Sequence, residues 1–300
     1  MLTEEEVEKL RKAGEIASKV RGWVEGFIKE GMKIIDICEA VESKILSLGG
    51  KPAFPCNVDV NEVAAHYTSP PNDVEVIPTA SIVKVDIGVH VDGYIADTAT
   101  TICFNPEYLS LREATIRALE EALKIVNTGV KVSSLGKVIE ETIKRYGVQP
   151  IRNLTGHEMS RYTIHAGIHI PNVGLMNGSK IEEGKVYAIE PFSTTIEGYG
   201  EVENGPSGYI YRILKDKPPK GGEEKILFNV LREKFRSLPF ALRWALKVSP
   251  VKDFHRVFNS LLRSRHIYAY PVLVERKRQP VAQSEHTFII YKGKVEVTTI

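Results

Sequence analysis

The chain has 300 residues, of which 43% are hydrophobic and 26% charged, as is usual for a globular protein of one or two domains. Its 40 Lys+Arg and 38 Asp+Glu leave a net charge of only +2, so the total charge gives no sign of a nucleic-acid-binding or membrane-surface protein. The three cysteines form no C-x-x-C pair, which argues against a disulfide framework or a cysteine zinc site and fits a reducing, cytoplasmic location.

The N-terminal sequence LTEEEVEKL is acidic and helix-like, whereas a signal peptide begins with basic residues and continues with an apolar run. No apolar run approaches the length that a membrane span requires. We therefore expect neither a signal peptide nor a membrane helix.

Two segments, 31–52 and 129–150, repeat each other without a gap. Each follows a helix-like stretch, at about 4–29 and 109–127, and each reads as a shorter helix that ends at Gly and then Pro. The identical pairs are Gly31/Gly129, Lys33/Lys131, Glu42/Glu140, Ile45/Ile143, Gly49/Gly147 and Pro52/Pro150. Two similar amphipathic helices could match by chance, but the matching glycines and prolines disfavour this. The repeat predicts two α/β halves related by a pseudo-twofold axis, with helices covering one face of a shared, largely antiparallel sheet.

Residues of about 205–270 have no counterpart in the first half. Helical patterns near 222–236 and 252–264 follow the Pro/Gly-rich sequence KPPKGGEE. We predict a small helical insertion subdomain at 205–270, with 1–204 and 271–300 forming the main domain.

A hairpin over residues 82–101 carries the first two candidate site residues. A four-residue loop at 90–93 would place Asp86 directly opposite Asp97, where like charges destabilise a sheet unless a cation compensates them. Two divalent cations would supply that charge. The alternative is a shifted register with two solvated aspartates.

The second half offers matching carboxylates. Glu190 follows an apolar strand-like run as Asp86 does, and the strand expected to pair with it, 281–290, carries Glu285. The insertion then becomes a long connection within a hairpin. Four carboxylates would converge at the pseudo-axis, and their burial would be prohibitive without metal.

Three histidines complete the candidate site. His157 follows a glycine, and one imidazole among carboxylates is typical of a metal centre. His66 and His165 occupy equivalent places in the two halves, so the repeat predicts that they flank the site from opposite sides. A single histidine is more often structural, but the repeat favours a functional role here. His286 would point to the opposite face of its strand.

The segments KPAFPCNVDVNEVAAHYTS, VDIGVHVDGYIADTA, NLTGHEMSRYTIHAG, AIEPF and AQSEHT together resemble those of type II methionine aminopeptidases without an N-terminal extension, as in archaea. The resemblance covers nearly the whole chain and implies the pita-bread α/β fold with a helical insertion. It implies two divalent metal ions, Co, Mn, Fe or Zn, bound by Asp86, Asp97, His157, Glu190 and Glu285. One departure is Ser284, where the family commonly has an aromatic residue.

The resemblance also implies roles for individual residues. Asp97 and Glu285 would bridge the metals, Glu190 would act as the general base, and His66 and His165 would contact the substrate. A methionine pocket would be lined by Phe54, Ile164, Phe192 and Tyr270. The expected substrates are nascent polypeptide N-termini with a small second residue, so this chain, which begins Met1-Leu2, should retain its own Met1.

Two rival functions remain open at this point. An aminopeptidase P or prolidase would share the ligands, but such enzymes usually read G-H-G and E-P-G where this chain has GHE at 156–158 and EPF at 190–192. A homologue that had lost catalysis and binds RNA would usually lack a ligand, and none is missing here. We expect a monomer with no specific nucleic-acid partner. The insertion could either shape the pocket or dock to the ribosome.

Overall fold

The computed structural model describes residues 2–300, so the expectation for Met1 lies outside the described residues. The helices are α1 Glu4–Phe27, α2 Ile34–Ser47, α3 Leu109–Ile125, α4 Val132–Arg145, α5 Gly222–Phe235, α6 Leu242–Val248 and α7 Phe254–Arg263, with a 3₁₀ turn at Pro106–Tyr108. None of the helices within residues 2–300 combines the length and apolar character needed to cross a membrane.

The strands are β1 Lys51–Pro52, β2 Asn57–Val60, β3 Val63–Ala65, β4 Ile82–Val91, β5 Tyr94–Cys103, β6 Gln149–Pro150, β7 Thr155–Met159, β8 His169–Pro171, β9 Val186–Ile189, β10 Phe192–Thr194, β11 Val202–Ile213, β12 Phe240–Ala241, β13 Ile267–Glu275, β14 Val281–Gln283, β15 His286–Tyr291 and β16 Lys294–Val297.

The sequence repeat is a structural repeat. Helices α2 and α4 each have 14 residues and begin at equivalent positions. The glycines that precede them, Gly31 and Gly129, have φ angles of 78° and 83°, which favour glycine because it lacks a Cβ. Each of these two glycines donates its N–H over 2.8 Å to a carbonyl, that of Ile77 in the first half and that of Ile181 in the second. The two halves therefore share backbone geometry as well as sequence.

Each half packs a pair of helices on antiparallel strands. In the first half, β4 pairs with β5 along one edge and with β2 and β1 along the other. In the second half, the order is β16-β15-β9-β7-β8, with a neighbouring β14-β10-β6 sheet. Helices α1 and α2 bury their apolar faces against the first set, and α3 and α4 against the second. The predicted α/β class with antiparallel sheets is confirmed.

The two halves meet where β5 runs beside residues 283–287. The Thr98 hydroxyl donates to the Glu285 carbonyl over 2.8 Å, and the Thr101 hydroxyl donates to the Gln283 carbonyl over 2.6 Å. In the other direction, the Thr287 hydroxyl donates to the Asp97 carbonyl over 2.8 Å. These short hydrogen bonds fix the separation of the two sheets at the point where the candidate ligands lie.

Strands β11 and β13 form a long antiparallel pair that carries the three helices α5, α6 and α7. The helical patterns near 222–236 and 252–264 correspond to α5 and α7, whereas α6 was not predicted. The limits 205 and 270 fall inside β11 and β13. A buried ion pair between Arg243 on α6 and Glu42 on α2 joins this region to the first half.

Helix α1 packs closely on the C-terminal segment, and two of its glycines provide a test. A Cβ on Gly14 would lie 2.0 Å from the carbonyl oxygen of Thr298, whereas a Cβ on Gly22 in the same helix would meet nothing within 4 Å. We expect Gly14→Ala to lower the free energy of unfolding by about 1–3 kcal/mol through overpacking. Gly22→Ala should leave it unchanged or raise it by up to about 1 kcal/mol through helix propensity. Urea unfolding of both variants measures the difference, and equal stabilities would contradict the close packing.

Candidate metal centre

The first half contributes Asp86 from β4 and Asp97 from β5, but in a different register from the predicted one. Asp97 pairs with Gly88, and Asp86 pairs with Ala99. The predicted four-residue loop was wrong because the turn has two residues, Asp92 and Gly93, with φ of 51° and 87°. Such Asp-Gly turns match the right-handed twist of a hairpin. The two aspartates are therefore diagonal neighbours on one face and not directly opposite each other.

The second half contributes His157, Glu190 and Glu285. His157 lies on β7, and the two glutamates lie in the short breaks between β9 and β10 and between β14 and β15. His286 pairs with Ile189 and Phe192 pairs with Gln283, so the unchanged register places the two glutamates opposite each other. The predicted pairing of the 281–290 segment with the strand that carries Glu190 is confirmed.

These side chains converge where the halves meet. One ligand atom from each of Asp97, His157 and Glu285 lies within 4.8 Å of the other two. The Nε2 atom of His157 is 3.7 Å from Oδ2 of Asp97 and 3.5 Å from Oε1 of Glu190. On the first-half side, Asn57 Nδ2 is 3.5 Å from Oδ2 of Asp86. The arrangement offers oxygen donors on both sides of a shared centre with one nitrogen donor.

The electrostatics of the cluster call for a cation. Within residues 2–300, none of the four carboxylates pairs with a lysine or arginine, and buried oxygens of Asp86, Asp97 and Glu285 have no hydrogen-bond partner. Burial raises the pKa of Asp86 to about 7. Burial and then the neighbouring carboxylates raise the pKa values of Asp97 and Glu285 well above their ordinary range. Donors of this kind suit divalent metal ions, whose charge would favour the ionised forms.

The other predicted site residues line the same cavity, which has a volume of about 200 Å³. Including the five candidate ligands, all eleven predicted site residues line it: Phe54, His66, Asp86, Asp97, His157, Ile164, His165, Glu190, Phe192, Tyr270 and Glu285. The ring of His165 lies 4.4 Å from that of His157, and the ring of His66 lies 5.5 Å from that of Tyr270. Burial lowers the pKa of His165 to about 4 and also lowers that of His66. Both imidazoles are therefore neutral at physiological pH.

Sequence reasoning missed several residues in or beside the cavity. The side-chain amide of Asn57 donates to the carboxylate of Asp86, and that of Gln283 donates to the carboxylate of Glu190. Nothing in the sequence marked Asn57, because its position opposite Asp86 depends on the register between β2 and β4. His169, to which no role was given, also lines the cavity. His286 faces away as predicted, with its Nδ1 atom 2.8 Å from the Thr299 hydroxyl.

Ser284 is accommodated without disturbing its neighbour Glu285. It is 6% exposed, and its hydroxyl lies 2.9 Å from that of Thr115 on α3. The backbone N–H of Glu285 still donates to the carbonyl of Ala99 in β5. The small residue in place of an aromatic one therefore leaves the backbone of the Glu285 segment attached to the first half.

Comparison with known proteins agrees with this architecture. A sequence model of metallopeptidase family M24 matches residues 8–216. The chain is 44% identical to the methionine aminopeptidase of Methanothermobacter thermautotrophicus over 98% of both chains. Among solved structures, it is similar to a thermophilic Arx1, with a TM-score of 0.84, 19% identity and coverage of 99% of this chain and 91% of that one.

A second similar structure is that of methionine aminopeptidase from Rickettsia prowazekii, with a TM-score of 0.70 and 20% identity over 100% of this chain and 99% of that one. At these identities the two structures speak for the fold alone. The predicted pita-bread architecture is confirmed.

Asp97→Asn tests whether the cluster binds metal. In the presence of a chelator, this variant should unfold at the same temperature as the unaltered protein or higher, because it removes one of several mutually repelling charges. Added Mn²⁺ should stabilise the unaltered protein by about 2.7 kcal/mol at a hundredfold excess over its Kd, but it should have little effect on the variant. Thermal unfolding with and without Mn²⁺ measures both effects.

Asp36→Asn, at an exposed site on α2, is the control for the change of charge. It should keep the full response to Mn²⁺. A response of the same size in Asp97→Asn would mean that this carboxylate does not bind the ion.

Proposed function

Because this chain belongs to metallopeptidase family M24, we propose that it is a methionine aminopeptidase, which removes the N-terminal methionine of peptides and nascent proteins whose second residue is small. The observation that carries this proposal is that four carboxylates and His157 line one cavity together with apolar side chains. The carboxylates and the histidine suit metal-assisted hydrolysis, and the apolar side chains suit recognition of a thioether side chain.

We propose that two divalent ions are held by Asp86, Asp97, His157, Glu190 and Glu285. Asp97 and Glu285, which are only 3% and 2% exposed, would hold both ions. The mixed oxygen and nitrogen donors suit Mn, Fe, Co or Zn. When bound, such ions acidify a water molecule and polarise the scissile carbonyl.

The protein's own groups complete the reaction. Glu190, whose side chain is only 14% exposed, takes the proton of the attacking water and passes it to the leaving amine. The neutral imidazole of His165 donates a hydrogen bond to the developing oxyanion. His66, which lines the same cavity, hydrogen-bonds the backbone of the scissile dipeptide.

Substrate selection depends on the apolar part of the cavity. Phe54, Ile164, Phe192 and Tyr270 form the proposed methionine pocket, and all four line the same cavity as the two histidines. Tyr270 belongs to β13, and Ile210 and Pro239 from the 205–270 segment also line the cavity. We therefore assign to this insertion subdomain the task of shaping the pocket.

Nascent polypeptide N-termini are the natural partner of such an enzyme, which places it in the cytoplasm, where these N-termini are made. Cys38, Cys56 and Cys103 are all free thiols, which is consistent with a reducing compartment. A monomer suffices for the chemistry, because every group named above belongs to a single chain.

A peptide assay tests the proposed function against its nearest rival. With Mn²⁺ or Co²⁺ bound, the protein should release methionine from Met-Ala-Ser and leave Ala-Pro peptides intact. Cleavage of Ala-Pro in preference to Met-Ala-Ser would identify an Xaa-Pro peptidase. A protein that binds two ions per chain but cleaves neither peptide, or that binds none, would favour the non-catalytic rival.

Glu190→Gln tests the general base. The amide keeps the size of the side chain but cannot accept the proton, so kcat on Met-Ala-Ser should fall by about 10²–10⁴-fold. The bound metal should be measured in the same sample, since loss of an ion would also abolish activity. Glu197→Gln, at an exposed position, should keep full activity. Near-normal turnover of Glu190→Gln with metal bound would exclude Glu190 as the base.

A further inference from the structure

The near-neutral total charge conceals a strongly uneven distribution. Segment 205–270 contains 14 of the 40 Lys+Arg but only 5 of the 38 Asp+Glu, so it carries +9 while the rest of the chain carries −7. A charge asymmetry of this size between parts of one chain is typical of a protein with a polyanionic partner. The balanced total was therefore a poor guide to the kind of partner.

The basic side chains of the insertion are also unpaired. Outside 205–270, 15 of the 26 lysines and arginines form salt bridges in the described residues, for example Lys9, Arg152 and Arg278. Inside it, only Arg243 and Arg256 do so. The other twelve basic residues of the segment are exposed. These twelve unpaired and exposed cations are available to bind an anion from another molecule.

Five of these residues gather at one end of the insertion, and we call them the basic cluster: Lys215, Lys217, Arg232, Arg263 and Arg265. The segment that follows β11 brings them together, because Lys215 donates to the carbonyl of Ser264 at the end of α7 over 2.7 Å. From α5, Arg232 donates to the carbonyl of Asp216 over 2.6 Å. Burial and the neighbouring Lys215 lower the pKa of His266, which agrees with a positive local potential.

We propose that the basic cluster binds the phosphate backbone of RNA. Guanidinium and ammonium groups from three separate segments suit a chain of phosphates, which arginine can contact in a bidentate manner. Beside the cluster, Arg212 lies over the rings of Tyr268 and Tyr270, at 5.7 and 5.8 Å, and Tyr268 is 40% exposed. An exposed tyrosine next to unpaired cations provides a surface on which a base can stack.

An anionic membrane is a weaker candidate for this surface. A membrane-binding helix presents a continuous apolar face to the lipid. Here Phe228, Leu231 and Phe258 of α5 and α7 are buried in the insertion's own core, and Ile226, at 52% exposure, is the one exposed apolar residue of these two helices. The choice of RNA also rests on the proposed function, because nascent N-termini are made on the ribosome, which contains RNA. Tyr270, which contacts Arg212 beside the basic cluster, also lines the cavity.

The test measures binding of the full-length, metal-loaded protein to a fluorescein-labelled RNA hairpin by fluorescence anisotropy over a range of KCl concentrations. A variant with Lys215, Lys217, Arg232, Arg263 and Arg265 all changed to Gln should bind at least about tenfold more weakly. Its plot of log affinity against log salt should be shallower by roughly one unit for every phosphate that the variant no longer neutralises.

A matched control removes the same amount of charge outside the insertion, with Gln in place of Lys12, Lys19, Lys124, Lys137 and Lys144. These lysines are all salt-bridged, and the control should bind RNA like the unaltered protein. A third variant changes only Lys217, Arg263 and Arg265, whose side chains donate no hydrogen bond within residues 2–300. It should retain the thermal midpoint of the unaltered protein and still lose most of the RNA affinity.

Equal weakening of the basic-cluster variant and the matched control would overturn the proposal, because the effect would then come from total charge alone. Tighter binding to phosphatidylglycerol vesicles than to the RNA hairpin would also overturn it, in favour of a membrane. All three variants should hydrolyse Met-Ala-Ser at the normal rate. Failure of the unaltered protein to hydrolyse this peptide would count against the proposed function and would leave the RNA result to stand on its own.

Discussion

The structure depends on the junction between β5 and residues 283–287, because this junction brings two half-sites together. Neither half holds the complete set of proposed ligands: Asp86 and Asp97 come from one, and His157, Glu190 and Glu285 from the other. Hydroxyl groups of threonine make the junction, and they bond to the carbonyls of Asp97 and Glu285 themselves. The hydrogen bonds that join the sheets therefore also set the distance between ligands.

Under the proposed function, a cation bound at this junction would stabilise the protein. The buried carboxylates there are removed from solvent, and within the residues described no lysine or arginine forms a salt bridge with them. Without an ion, the pKa values rise until some of the groups hold protons. Binding of an ion would displace those protons, so its binding free energy would depend on pH.

Much of this site was predictable because the repeat links local patterns to a global symmetry. Equivalent glycines and prolines predicted the two halves, and the halves predicted that Glu190 and Glu285 are partners. The sequence could not give the hairpin register reliably, since Asp92-Gly93 permits a tighter turn than the one predicted and a change of loop length shifts every pair. Asn57 could not be predicted for a related reason. Its neighbour Asp86 lies 29 residues away in the sequence, and the strand pairing that joins them is not specified by local sequence.

The position of the insertion follows from the same symmetry. It joins the strand after Glu190 to the strand before Glu285, and its two arms, β11 and β13, carry Ile210 and Tyr270 into the cavity wall. A buried ion pair with Glu42 then anchors its far part to the first half. Pairing of β13 with β3 and this ion pair thus both fix the insertion to the first half. Charge counted by segment is more informative here than the total, since the −7 of the main domain and the +9 of the insertion nearly cancel in the sum.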